Sequence, residues 1–394
     1  MTQLSQSPTD PVFVQDPYPF YDAARAQGAI GVWEEFGMPA AFTFSAVNAL
    51  LRDNRLGRVP HTPVNVPEHL RDFYAIEDHS MLELEAPRHT RLRKLVLHAF
   101  TSRRIAALEP EIRQLCHDLI DQFPDAPFDL IPAYCTRVPV IIIARLLGVP
   151  DEMADQLLRW SNDMVALYQA RRDHEVEVAA NAAARDFATW LRAHVETRRE
   201  TPADDLITHL IRAEEDGERL STDELISTCV LLLNAGHEAT VHTMGNGVKA
   251  LLEHGMGADV LTPEHVDGTV EEILRYDPPL HMFTRYVYEP VEVGRSVLEP
   301  GTEVALILGA AGRDPGVWDA PEEFRPNRPV KTHAAFGAGR HFCVGAPLAR
   351  LELKIALPVL FERCPHLRLD ETPRYANLYH FHGLERLMVS QAGA

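Results

Sequence analysis

The chain has 394 residues, is 46% hydrophobic and 24% charged, and carries a formal net charge of −19. That balance describes an ordinary globular chain with enough residues for a substantial core, and its acidity argues against nucleic acid or anionic membrane as partners. The five cysteines are scattered without paired spacing, which fits a reducing compartment rather than a disulfide framework, and no apolar run reaches the roughly 18 residues that span a bilayer.

Residues 1–15 are expected to form a flexible tail, followed by a short helix to about residue 27. The first ten residues have neither the basic start nor the apolar core of a signal peptide, so a cytoplasmic location is expected. Ile30 to Thr43 mixes Val32, Trp33 and Phe42 with Gly31, Gly37 and Pro39, the pattern of a short hairpin. Residues 58–82 carry Pro60, Pro63 and Pro67 with little periodicity and read as a long loop holding one helical turn.

From Pro87 to about Ala99 a helix puts His89 and Arg93 on one face, four residues apart. Arg88, Arg91, Arg93, Lys94, Arg103 and Arg104 follow one another with no acid between them. A solvated helix face and a binding patch explain that run equally well. Residues 104–200 read as successive helices. Trp160 to Gln169 and Glu175 to Arg199 are amphipathic, with Arg171, Arg172 and Asp173 in the turn between them.

Ser221 and Glu224 have the spacing of a capping box. The helix they open is predicted to run to Glu253 and to stop at His254 and Gly255. Its middle, Cys229 to Leu233, is apolar all round and must be buried. Inside it lie Asn234, Ala235, Gly236, His237, Glu238, Ala239 and Thr240. A helical glycine costs about 1 kcal/mol relative to alanine, and a buried glutamate costs more unless satisfied. Local rule-breaking of this kind is expected where function demands it.

Glu272 and Arg275 share a helix face ahead of Pro278 and Pro279. Tyr286 to Ala310 alternates as strands do, around a turn at Glu299, Pro300 and Gly301. Near the end, Phe336 to Arg350 reads Phe-Gly-Ala-Gly-Arg-His-Phe-Cys-Val-Gly-Ala-Pro-Leu-Ala-Arg. Gly337, Gly339 and Gly345 permit positive φ and close backbone approach, and Pro347 suits the first turn of a helix. Cys343 therefore faces backbone N–H groups and the positive end of a helix dipole, which favours its thiolate. A thiolate so placed serves as a nucleophile, a redox thiol or a metal ligand.

The spacing Phe336-Gly-x-Gly-x-His341-x-Cys343-x-Gly345, with Ala346-Pro-Leu-Ala-Arg350 after it, closely resembles the haem-binding loop of the cytochrome P-450 family. The resemblance extends in order through His89 and Arg93, the Ala235-Gly236-x-Glu238 segment, and Glu272-x-x-Arg275. It implies a single domain over 1–394, mainly helical with a small β region, in the family's triangular prism around haem b. Cys343 would then be the proximal iron ligand, with Phe336 and Gly345 shaping its loop. His89, Arg93, Arg285 and His341 would neutralise the propionates. Glu272, Arg275 and Arg328 would form a structural ion-pair triad. Gly236 would leave room for dioxygen where the helix distorts, and Glu238 would help relay protons.

One position departs from the family pattern. Threonine usually follows the acid, and here Ala239 does, with Thr240 next. One residue turns a helix by about 100°, so Thr240 cannot simply replace the missing hydroxyl. Water or substrate could complete the relay, Thr240 could reach in through a local bulge, or coupling could be poor. The resemblance also implies oxygen insertion into a C–H bond, by hydroxylation or oxidative demethylation, of a small or medium apolar molecule. Electrons would come from NAD(P)H through a ferredoxin reductase and a ferredoxin docking near Arg91, Arg103, Arg104 and Arg340. The pocket would include Val165, Leu232, Leu233, Leu280, Met282, Phe283 and Phe381, and a monomer is expected. Gly312 stands where the family has asparagine, a change expected to be structural and minor. A peroxide-using or non-oxidative haem-thiolate enzyme is the alternative that Ala239 suggests; a non-catalytic haem sensor is a further one.

Overall fold

The helix Thr222–Glu253 organises the molecule. It is opened by a complete capping box: the Glu224 N–H donates to Ser221 Oγ at 3.2 Å, and the Ser221 N–H donates to the Glu224 carboxylate at 3.0 Å. Thirty-two residues at about 1.5 Å each carry it across the molecule to His254, where Gly255 takes a φ of +63°. Its apolar flanks are covered by Arg137–Leu147, Ala154–Val165 and His174–Glu200, and Val266–Tyr276 and Ala346–Arg363 close the other side. The approach to Val266–Tyr276 depends on Gly247, whose Cβ, if present, would lie 2.9 Å from Ile273. This computed structural model describes residues 1–63, 65–168, 172–215 and 217–391. Gln169 and Arg171, placed above at a helix end and in the turn after it, lie outside the described residues.

A mixed six-stranded sheet lies to one side, in the order Thr2–Leu4, Ile30–Trp33, Met38–Ala41, Glu303–Ile307, Met282–Val287 and Leu56–Gly57. The expected hairpin is present, with Ile30 opposite Ala41 and Trp33 opposite Met38. The expected flexible tail is not. Thr2–Leu4 pairs in parallel with Gly31–Trp33, and Phe13 is buried with its ring 5.9 Å from Trp33 and 5.4 Å from Tyr379. Burying that aromatic surface outweighs the ordering entropy that would leave a polar terminus loose.

Residues 58–82 also hold more structure than a loop. A 3₁₀ turn, Glu68–Leu70, leads into the helix Arg71–Glu77, and a second turn covers Met81–Glu83. The helix start is satisfied from a distance, because Asn181 of His174–Glu200 accepts the N–H groups of Asp72 at 2.8 Å and Phe73 at 3.0 Å. Gly312 is constrained by packing: a Cβ there would lie 2.4 Å from the Arg275 carbonyl oxygen.

Candidate active site

The cysteine loop is shaped by its backbone. Gly337 and Gly339 take φ of +68° and +70°, and a Cβ at Gly339 would lie 2.4 Å from the Leu51 carbonyl oxygen. Gly345 has an ordinary helical φ of −78°. Its use is proximity, since a Cβ there would stand 3.8 Å from Cys343 Sγ. The Cys343 N–H donates to the Phe336 carbonyl at 3.1 Å, which folds the loop back on itself before Ala346–Arg363 begins. Burial pushes the Cys343 thiol up; the N–H groups of Gly345 and Ala346, with the charges of Arg93 and Arg350, offset only part of that. The dipole argument for a thiolate is thus outweighed by desolvation, and a bound cation is what would hold the sulfur ionised.

Beside the loop, the rings of His89 and His341 lie 4.3 Å apart. His89 is buried, its Nε2 has no hydrogen-bond partner among the described residues, and burial followed by the neighbouring His341 lowers its pKa to about 4. Arg285 is buried as well, and donates to the Thr284 carbonyl at 2.7 Å. Arg93 reaches the other way and donates to the Phe342 carbonyl at 2.7 Å, next to Cys343. Glu85, which sequence reasoning missed, accepts from His341 Nε2 at 2.9 Å and Arg340 at 2.7 Å.

Glu272 receives Arg275 through both oxygens, at 2.7 and 2.8 Å, and Arg328 Nε lies 3.4 Å away. The neighbouring Glu271 was also missed. It accepts from Arg350 of the cysteine-loop helix at 2.5 and 2.9 Å and from His333 at 2.9 Å. Burial pushes its carboxyl up, but the Arg350 and His333 hydrogen bonds prevail and hold it at about 2, against an ordinary 4.5. A depressed carboxyl stabilises the fold above its ordinary value and loses that contribution as pH falls toward about 2. Thermal unfolding followed between those limits should show a loss of up to about 3 kcal/mol that Glu271→Gln flattens.

On the long helix, the segment from Asn234 to Thr240 continues without a bulge. Gly236 faces Ile143 of Arg137–Leu147, where a Cβ would lie 3.1 Å from Cγ1, so its small size serves helix packing. Thr240 Oγ1 donates back to the Gly236 carbonyl at 3.3 Å and Thr243 Oγ1 to that of Ala239 at 2.7 Å. Thr240 therefore does not reach in through a bulge. Glu238 pairs one turn on with His242, Oε1 to Nε2 at 3.4 Å. That i,i+4 spacing was readable from the sequence.

The expected pocket residues divide. Leu280 and Phe381 meet in a β-bridge, and Val165, Leu232 and Leu233 are buried. Phe283 sits against the cysteine loop, 3.2 Å from where a Gly337 Cβ would be. Met282 is a correction. Successive strand residues face opposite sides, and Met282 points into the aromatic cluster of Phe13, Tyr21 and Trp33. Two of the four docking arginines are also committed internally. Arg91 pairs with Glu224 and, at 3.2 Å, with Glu218, while Arg340 holds Glu85 and Asn54. Arg103 is exposed, and Arg104 lies 3.7 Å from the exposed Asp204.

The family described as Cytochrome P450 matches residues 264–377. Cytochrome P450 monooxygenase PikC of Streptomyces venezuelae is 36% identical over 92% of this chain and 87% of its own length. The polyketide biosynthesis cytochrome P450 PksS of Bacillus subtilis is 37% identical over 87% and 86%. The chain belongs to the cytochrome P450 family. Two solved P450 structures superpose nearly throughout. P450BioI, in complex with an acyl carrier protein carrying hexadec-9Z-enoic acid, has a TM-score of 0.91 at 32% identity, covering 97% of this chain and 99% of that one. PksS has 0.90 at 33% identity, covering 98% and 100%. The fold expected from the sequence is therefore the fold observed, and this P450 is a haem monooxygenase. No helix among its described residues is long and apolar enough to cross a membrane.

Proposed function

We propose that Cys343 is the proximal thiolate ligand of haem b, and that the enzyme inserts one oxygen atom from O2 into a C–H bond of a small or medium, largely apolar substrate. The observation that carries this reading is the convergence around Cys343. Its sulfur faces two helix-start N–H groups, and beside the loop lie a buried, unpartnered His89 Nε2 and a buried Arg285. An anion at those last two groups would satisfy what the protein leaves open, and the propionates fit that need. Haem, when bound, supplies electron transfer and dioxygen activation. The chain supplies the rest. His89, Arg285 and His341 hold carboxylates, Arg93 fixes the loop carbonyl beside the sulfur, and Glu238 relays protons from the long helix. Val165, Leu280 and Phe381 offer substrate an apolar surface that excludes water.

Electrons are proposed to come from NAD(P)H through a ferredoxin reductase and a ferredoxin. The docking face has Arg103 and Arg104 near its edge and, on the cysteine side, exposed Leu97 one turn from Arg93, with exposed Phe342 on the loop. An apolar centre with a basic rim suits a small acidic donor. The test compares ferredoxin-supported with peroxide-driven turnover. Arg103→Glu is expected to lower the first by about tenfold, through slower association, and to spare the second. Equal loss in both assays would remove the docking face. Product formed from hydrogen peroxide alone, with none under electron supply, would favour the peroxide-using alternative.

A further inference from the structure

In this chain the turn of the long helix that bears Glu238 has lost one hydroxyl and turned two others away. Ala239 has none, Thr240 is spent on the Gly236 carbonyl, and Thr243 on that of Ala239. One polar side chain that does face Glu238 is His242. Its Nε2 is buried, makes no hydrogen bond among the described residues, and lies 3.4 Å from Glu238 Oε1; the two side chains are 12% and 19% exposed. A catalytic contact of that length in the resting protein commonly tightens once the reacting complex is assembled.

The ring is held there from outside its helix. Gly383, on the C-terminal segment, has no Cβ, and one would lie 1.9 Å from His242 Nδ1. The Phe381 ring lies 6.0 Å from the imidazole on the same side. The C-terminal segment thus leaves a glycine-wide slot for the imidazole, while helical spacing directs Nε2 at the carboxylate. A purely structural histidine would be expected to pair its buried Nε2 elsewhere in the core.

From this arrangement we infer that His242 is a positioning residue for Glu238, holding Oε1 through its Nε2–H so that the carboxyl is oriented without the hydroxyl that Ala239 lacks. This rests on the monooxygenase reading above. It assigns to the imidazole a role that the sequence left open between water, substrate and poor coupling. The hold is a hydrogen bond to one oxygen of the carboxyl group. Glutamine can make the same bond from its own Nε2, and phenylalanine cannot.

The test has a spectroscopic and a kinetic arm. In the diamagnetic ferrous carbon monoxide complex of protein labelled at histidine, the His242 Nε2–H should appear as a protected, downfield proton that Glu238→Gln shifts. With NADPH, a plant-type ferredoxin with its reductase, and dodecanoic acid as the probe, hydrogen peroxide per NADPH is measured. His242→Phe should raise that ratio about threefold or more, and His242→Gln should keep it near the wild-type value. Gly383→Ala, which crowds the ring without altering either member of the pair, should resemble His242→Phe. A resonance unchanged by Glu238→Gln, or equal peroxide ratios in wild type and His242→Phe, overturns the inference. If wild type oxidises nothing under electron supply, the monooxygenase reading fails instead, and the resonance still decides whether His242 holds Glu238.

Discussion

Arg275→Lys is expected to cost about 3–5 kcal/mol, the usual penalty for breaking a buried ion pair from one side, and to leave little folded haem protein. Arg275 and Glu272 are 2% and 3% exposed. The guanidinium donates to Glu272 at 2.7 and 2.8 Å, to the Gly312 and Pro321 carbonyls at 2.9 Å each, and to the Glu323 carbonyl at 3.1 Å. A lysine has three donors radiating from one atom and cannot reach that planar set. The stranded groups would then be buried without partners. Thermal unfolding and haem content report the outcome, with Arg113→Lys as the contrast. Arg113 meets Glu109 at 3.1 Å on an exposed helix face, where such a pair is worth less than about 1 kcal/mol. A similar, small loss in both variants would show that the buried arrangement contributes nothing special.

Cys343→Ser should preserve the loop and abolish the reaction. The turn is made by Gly337, Gly339 and the Cys343 N–H to the Phe336 carbonyl, none of which involves sulfur. A hydroxyl in that position is a far weaker acid than a thiol and would not donate electron density to iron as thiolate does. Turnover is expected to fall by about 1,000-fold, equivalent to about 4 kcal/mol of activation free energy. The thiolate signature in the ferrous carbon monoxide spectrum should vanish while the unfolding midpoint moves little. Retention of that signature would remove Cys343 as the ligand.

What the sequence showed clearly was whatever depends on spacing within one segment. The Ser221 capping box, the Glu272–Arg275 pair and the glycine turns at 337 and 339 are all set by neighbours a few residues away. All but one of the failures have a common physical origin, in that each turns on a partner far along the chain. Arg71–Glu77 begins as a helix because Asn181 accepts its first N–H groups, and no local propensity reports that. Thr2–Leu4 is ordered by Gly31–Trp33 and by an aromatic cluster that includes Tyr379. Gly236 was legible as a rule-breaker, but which neighbour it admits is decided by Ile143. The Met282 error was avoidable, because strand alternation alone separates it from Phe283.

Arg88–Ala99 has an implication for how the enzyme is assembled. Three of its side chains are fastened to regions remote in sequence: the His89 ring packs against His341, Arg93 bonds the Phe342 carbonyl, and Arg91 pairs with Glu224. The last two contacts span 249 and 133 residues. Closing loops of that length spends chain entropy before the contacts return any stabilisation. The position of the helix, and of the cradle around His89, therefore depends on both the cysteine loop and the head of the long helix being in place. Haem held between Cys343 and His89 would brace those regions against one another and so act as part of the fold as well as its cofactor.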